Sequence, residues 1–346
     1  MEAALPEKIE TEEMLDEVLT QPQSALVEFI RTLASPLVIL GAGGKMGPSL
    51  AVLARRAAGQ AGVPLQVIAV SRFIDPAIRR WLDARGVRTL PCDLMDRSAL
   101  DRLPDSANVI YLVGVKFGTT QNPTRTWAIN TLIPANVSLR YASSRIVALS
   151  TGNVYPLVPV ESRGCVETDP LAHVGEYANS CLARERIFEY YSQDNGTPMT
   201  VIRLNYALDL RYGVLHDLAA RIIARQPVDV SMGYVNCIWQ GDANDRILRA
   251  LDLARAPARS LNLTGTEVLS IRSLAQELAR LLEVPVVFSG REAPIALLSS
   301  AAQAAAQFGA PSISIETVLR WTAHWVKQGG RSLNKPTHFE VRDGVY

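Results

Sequence analysis

From Pro36 onward, short apolar runs alternate with longer stretches whose apolar residues recur at helical spacing. Leu37–Leu40, Leu65–Val70, Val87–Leu90, Val109–Val113, Ile146–Leu149 and Thr200–Leu204 read as strands. Pro48–Ala58, Pro76–Ala84, Arg97–Leu103, Thr124–Ala142 and Glu176–Gln193 read as the helices between them. Near-continuous apolar strands separated by helices predict an α/β fold, a doubly wound parallel sheet covered on both faces. Residues 36–205 form this Rossmann-type unit. Ahead of it, 1–35 read as an acidic helical extension, with Thr11 and Ser24 as caps and Ala25, Leu26, Phe29, Ile30 and Leu33 as an apolar stripe that packs on the body. After Asn205 the rhythm turns irregular, predicting a smaller C-terminal substrate lobe over 206–328, interleaved with the sheet domain and carrying helices near Ser270–Leu282 and Ile315–Lys327. Ser299–Gln307 is Ala-rich and reads as a plain helix, and 329–346 as a polar tail along the surface.

Composition narrows the functional classes. The chain of 346 residues is 48% hydrophobic, which supports a packed core, and its 35 basic and 34 acidic residues nearly cancel. No global field therefore attracts nucleic acid or an anionic membrane. The N-terminus has no basic start followed by an apolar stretch, and no apolar run is long enough to cross a bilayer, so a cytoplasmic location is expected. Cys92, Cys165, Cys181 and Cys237 show neither a C-x-x-C pair nor metal-ligand spacing, so reduced thiols and no metal site are expected.

The most informative segment joins the first strand to the first helix of the alternating region. Gly41, Gly44 and Gly47 follow the pattern G-x-x-G-x-x-G, with Lys45 and Met46 inside the loop and Pro48 opening the helix. Glycines there allow a sharp turn and let backbone N–H groups approach a pyrophosphate at the helix N-terminus. The second strand ends at Ser71-Arg72, where an acidic residue would hold an adenosine ribose and an arginine accommodates a 2′-phosphate. With Lys45 as a second positive charge, this favours NADP over NAD.

Taken in order, these motifs resemble the extended short-chain dehydrogenase/reductase family, the NAD(P)-dependent epimerase/dehydratase group, from about Pro36 to Lys327. The resemblance implies that Asp93 and Leu94 contact adenine, that Val113 and Gly114 pass under the cofactor, and that Asn130 steadies the active-site helix. It implies Thr151 as the hydroxyl that holds the substrate oxygen and Tyr177 as the proton-transfer group. Tyr155, Arg211, Trp239 and Gln240 are expected in the substrate pocket. The substrate implied is a sugar, nucleotide sugar or related polyol, and a homodimer through the two long helices is open.

One position departs from the family. The lysine of Y-x-x-x-K, which in the family lowers the tyrosine pKa and binds the nicotinamide ribose, is replaced by Cys181. A free phenol, with a pKa of about 10, is only about 0.1% ionised at pH 7. Removing a nearby cation costs roughly 1–3 pKa units. Lys116 is the expected substitute, since it leaves the sheet at its carboxyl edge; Arg184 shares Tyr177's face of the helix but stands two turns away. Cys181 itself reads as a small packing residue or as a nucleophile, with His173 the nearest histidine. The implied activity is therefore an oxidoreductase, epimerase or dehydratase, and the alternative is a catalytically impaired cofactor-binding sensor or interaction protein.

Overall fold

The computed structural model describes residues 5–116, 118, 121–172 and 174–344, so His173, considered above, lies outside the described residues. The alternating region folds as β1 (Leu37–Leu40), α3 (Gly47–Ala61), β2 (Val67–Ser71), α4 (Pro76–Asp83), β3 (Arg88–Pro91), α5 (Arg97–Asp101), β4 (Asn108–Tyr111), α6 (Pro123–Arg140), β5 (Arg145–Thr151), α7 (Gly175–Asn195) and β6 (Met199–Leu204). A seventh strand, β7 (Arg259–Leu263), completes the sheet in the order β7-β6-β5-β4-β1-β2-β3, with every pairing parallel. The order reverses between β1 and β4, which places a crevice at the carboxyl ends of those two strands.

Both faces of the sheet are packed because strand residues alternate sides. Leu37, Ile39, Val67, Ala69, Ile110 and Val147 face α2 (Ser24–Ile30), α3 and α9 (Gln240–Arg249). Val38, Leu40, Ile68, Val70, Val109, Tyr111, Ile146 and Ala148 face α5, α6 and α7, where Tyr111 meets Phe188 edge-on at 4.9 Å. A separate core unites α1 (Glu12–Leu19), α8 (Val214–Ile223), α10 (Ile271–Leu282) and α12 (Ile315–Lys327), with α11 (Ala302–Phe308) beside β7.

The amino-terminal helices pack against both cores. Thr11 caps α1 through the Met14 amide, as its position suggests, whereas the residue before α2 is Gln23 and its side chain makes no cap. Ile9, Leu15 and Leu19 enter the lobe core, while Leu26 and Ile30 enter the core under the sheet. Asp16 accepts from Trp81 and pairs with Arg211, and Glu17 pairs with Arg56. The tail also leaves the solvent: Thr337 and Phe339 are buried, and Trp325 donates to the Arg331 carbonyl.

Candidate functional site

Each glycine of the loop after β1 answers a different demand. Gly41 has φ +82°, and a Cβ there would lie 2.9 Å from Val113 Cγ2. At Gly47 a Cβ would fall 2.5 Å from the Cα and carbonyl oxygen of Ala42, so the absent side chain lets α3 seat against the turn. Gly44 is exposed, and its Cβ would find only the Gly41 oxygen at 3.5 Å, an ordinary contact. Among the described residues nothing requires a glycine at 44. Gly43, which the spacing pattern passes over, makes room for the Ser71 hydroxyl, 2.6 Å from where its Cβ would be.

The side chains around this loop depart in part from expectation. Lys45 does not join Arg72. Its ammonium donates to the Ala207 carbonyl at 2.7 Å and lies 4.0 Å from the Tyr212 ring centre, and burial pushes its pKa down to about 7. A carbonyl and an aromatic face on the lobe side draw it inward. The cation that shares a cavity with Arg72 is instead Arg125, in the first turn of α6; the cavity, about 260 Å³, is also lined by Val115, Gly118, Asn122, Thr126 and Ile129. Met46 and Leu94 are core residues, so only their backbone is available to a ligand. Asp93 is exposed, and its carboxylate accepts the Met95 amide at 3.0 Å.

Across the crevice, β5 and α7 bring Thr151 and Tyr177 together. The Tyr177 hydroxyl makes side-chain hydrogen bonds with Thr151 and with Cys181, one turn further along α7. Burial, and after it the neighbouring Cys181, hold its pKa well above the ordinary value, an effect that the Arg184 charge and the Thr151 bond oppose. Asn130, fully buried on α6, donates to Ser180 Oγ at 2.9 Å and accepts from the Val115 amide at 3.3 Å. It thereby ties α6, α7 and the segment leaving β4 into one frame.

The cation nearest this pair is not the one expected. Lys116 donates to the Thr337 carbonyl of the tail at 2.9 Å, and burial lowers its pKa to about 8. Its charge acts on Cys181, whereas the charge acting on Tyr177 belongs to Arg184. Arg184 reaches there because helical side chains slant toward the N-terminus and its own is long. Its Nη2 donates to Cys181 Sγ at 3.1 Å and its Nη1 to the Val113 carbonyl at 2.8 Å. A Cβ on Gly114 would sit 2.6 Å from that Nη1, so the space at Gly114 is filled by the protein's own arginine.

The four residues expected against substrate all face inward. Tyr155 is 2% exposed, accepts from Arg203 and donates to Asn262, both at 2.8 Å. Arg211 pairs with Asp209 and Asp16 and so anchors the amino-terminal helix. Trp239 stacks edge-on against Trp321 at 5.5 Å inside the lobe core. Gln240 donates to Ser49 Oγ at 2.9 Å, fastening α9 to α3. The unforeseen border of the site is the tail. Gly344 meets the entrance of α7 so closely that a Cβ on it would lie 2.2 Å from the oxygen of Val174, the residue just ahead of the helix that carries Tyr177.

No helix among the described residues is long and apolar enough to cross a membrane, and none of their His, Cys, Asp or Glu side chains cluster in threes suited to a metal. Solved structures with this fold include the dTDP-glucose 4,6-dehydratase of Streptomyces venezuelae with NAD bound, at 18% identity and TM-score 0.71, covering 85% of this chain and 97% of that one. The UDP-glucose 4-epimerase of Thermus thermophilus in complex with NAD matches at 19% identity and TM-score 0.68, covering 84% and 99%. A short-chain dehydrogenase/reductase superfamily protein of Agrobacterium tumefaciens with bound NAD matches at 17% identity and TM-score 0.70, covering 85% and 98%. No curated protein matches by sequence. The sequence model of the NAD dependent epimerase/dehydratase family, however, matches residues 37–227, more than half of the chain, and the protein belongs to that family.

Proposed function

We propose that this protein is an NAD(P)-dependent oxidoreductase, epimerase or dehydratase acting on a hydroxyl-bearing carbon of a sugar, nucleotide sugar or related polyol. The observation that carries the reading is the Tyr177–Thr151 hydrogen-bonded pair at the carboxyl edge of the sheet, across the crevice from the glycine loop. The loop fits a dinucleotide: Gly44 is exposed and, among the described residues, a Cβ on it would meet only the Gly41 oxygen at ordinary contact distance, at the mouth of α3, whose dipole favours a diphosphate. When bound there, the nicotinamide ring supplies a hydride acceptor and donor. The chain's residues handle the rest. Thr151 holds the substrate oxygen, Tyr177 takes and returns its proton, and Asn130 keeps both helices in register.

Turnover is followed with oxidised cofactor and a panel of nucleotide sugars, by cofactor absorbance and by product analysis. Tyr177→Phe is expected to lower the rate by roughly 10²–10⁴-fold while leaving cofactor affinity within about twofold. An undiminished rate removes Tyr177 from the chemistry. The desolvated, weakly acidic Tyr177 favours a second reading, a cofactor-binding protein without turnover. In that case cofactor binds and no sugar is converted by the unaltered chain.

For the cofactor itself the reading is NADP ahead of NAD, supported by Arg72 and Arg125 lining one cavity at the end of β2. Arg72→Ala is expected to weaken NADP about tenfold, the worth of one charge-assisted hydrogen bond, and NAD by less than about threefold. Titration calorimetry with each nucleotide checks this, and equal losses for both would remove the 2′-phosphate assignment.

A further inference from the structure

Arg184 is a buried charge whose neighbour in the chain, Glu185, favours it only without contact. It is 4% exposed, yet among the described residues no carboxylate lies within ion-pairing distance of it. The adjacent carboxylate, Glu185, is committed to Arg203. Among the described residues Arg184 Nε is buried without a hydrogen-bond partner, and its two terminal nitrogens meet a carbonyl and a thiol, neither of which carries a compensating charge. A buried cation with no counterion is costly, and such a group is retained where a negative charge is due to form beside it.

We propose that Arg184 is the positioning residue that stabilises negative charge on the hydrogen-bonded Tyr177–Cys181 pair, with Cys181 serving as the small neutral acceptor that lets the guanidinium approach. The inference rests on the reading of Tyr177 as the proton-transfer group. Three features of the geometry converge on it. Cys181 accepts from Arg184 at 3.1 Å and also bonds the Tyr177 hydroxyl, so the three side chains form one continuous polar chain. Gly114 clears the volume that the guanidinium occupies, and the Val113 carbonyl fixes its plane. The remaining titratable groups facing the cluster are Tyr111 on β4, Lys116 after it and Glu185 on α7; Thr151 on β5 adds a neutral hydroxyl.

Arg184 and a lysine at 181 are then mutually exclusive. Cys181→Lys alone would place an ammonium against the guanidinium in a dry site, so inserting the second cation is expected to weaken the protein rather than improve it. Paired with Arg184→Gln, the same lysine becomes the sole cation beside Tyr177.

The experiment incorporates ring-fluorinated tyrosine, whose phenol is intrinsically more acidic, and follows each ring by fluorine NMR across pH without substrate. Tyr177→Phe assigns the resonance. Arg184→Gln is expected to raise the Tyr177 midpoint by at least about one unit, a tenfold smaller phenolate fraction at fixed pH, while Arg184→Lys stays within about half a unit of the parent. Cys181→Lys/Arg184→Gln is expected to return the midpoint toward the parent value, and thermal melting is expected to place Cys181→Lys below this double variant. An Arg184→Gln midpoint that does not move, in a protein that remains folded, overturns the proposal, as does a Cys181→Lys variant as stable as the double variant. Should Arg184→Gln not fold, Arg184→Met, which keeps an unbranched side chain and removes the charge, takes its place against Arg184→Lys, with the same expected rise and the same overturning result. These titrations need no turnover, so shifted midpoints with no sugar converted would sink the enzymatic reading alone. A sugar converted through Tyr177 with unmoved midpoints would sink this inference alone.

Discussion

Gly47→Ala is expected to lose stability and cofactor binding together, whereas Gly44→Ala loses binding alone. The added methyl at 47 would lie 2.5 Å from Ala42 Cα and oxygen and 2.6 Å from its carbonyl carbon. All three are backbone atoms of the turn itself, so relief requires α3 to lift from β1 rather than a side chain to swing away. Overpacking of this kind costs about 1–3 kcal/mol, and the displaced α3 carries its N-terminus away from the crevice. At 44 the methyl meets ordinary contact distance and the backbone is not in the left-handed region, so the folded state tolerates it. Its only effect is on whatever approaches from outside. We therefore expect Gly44→Ala to melt within about 1 °C of the parent, since no named destabilising mechanism applies, and to bind either nicotinamide dinucleotide at least about tenfold more weakly because the backbone approach is blocked. Melting curves and titration calorimetry on the two variants separate the roles. Unchanged affinity in Gly44→Ala would mean that no diphosphate lies against this turn.

The contrast between those glycines bears on what the sequence discloses. The strands β1, β2, β4, β5 and β6 are legible because each is a compact, largely buried apolar run, the edge strand β3 is marked only by Val87, Thr89 and Leu90, and the glycine loop is legible because turn chemistry is local. β7 is not. Arg259-Ser-Leu-Asn-Leu interleaves polar residues with apolar ones, since it is an edge strand and Asn262 is spent on Tyr155 and on the Cys165 and Ser300 carbonyls. The same long-range blindness affects the substrate side. Trp239, Gln240, Arg211 and Tyr155 look like ligand-binding groups, but their partners lie 82, 191, 195 and 107 residues away in the chain, as Trp321, Ser49, Asp16 and Asn262. Lys45 and Lys116 leave the backbone where a ligand-facing cation would, yet each is claimed by a carbonyl of another segment, Ala207 or Thr337. For Arg184, counting turns from Cα to Cα overstates the separation, because a long side chain slanting toward the N-terminus spans that interval. What the sequence marks of the candidate site is its local part: Gly41, Gly44 and Gly47 lie in the turn after β1, Tyr177 on α7 bonds Thr151 on β5, and Asn130 on α6 accepts from Val115.

Arg203→Leu is expected to destabilise the protein by about 3–5 kcal/mol, the cost of leaving a buried charge without its partner. Glu185 is fully buried on α7 and receives Arg203 Nε and Nη2, the latter at 2.8 Å, together with the Ser150 hydroxyl. Arg203 also donates to Tyr155 and to the Glu167 carbonyl, so its loss opens several buried polar groups at once. Urea unfolding should show a lowered midpoint with an unchanged slope, because the folded core is the same size. Replacing both members, Arg203→Leu with Glu185→Leu, should recover most of the loss, since an apolar pair avoids the desolvation that the ion pair must offset. The effect on Tyr177 should follow a different course. Glu185 sits next to Arg184 in the chain and already acts on it through its charge, but its oxygens are bonded to Arg203 while the guanidinium of Arg184 bonds Cys181. In Arg203→Leu the released carboxylate can instead pair with Arg184 and quench that charge, so phenolate formation at Tyr177 should fall in the single variant and return in the double. A single variant as stable as the parent would show that the Glu185–Arg203 pair contributes nothing net, and an unmoved Tyr177 midpoint in it would show that the released carboxylate does not reach Arg184.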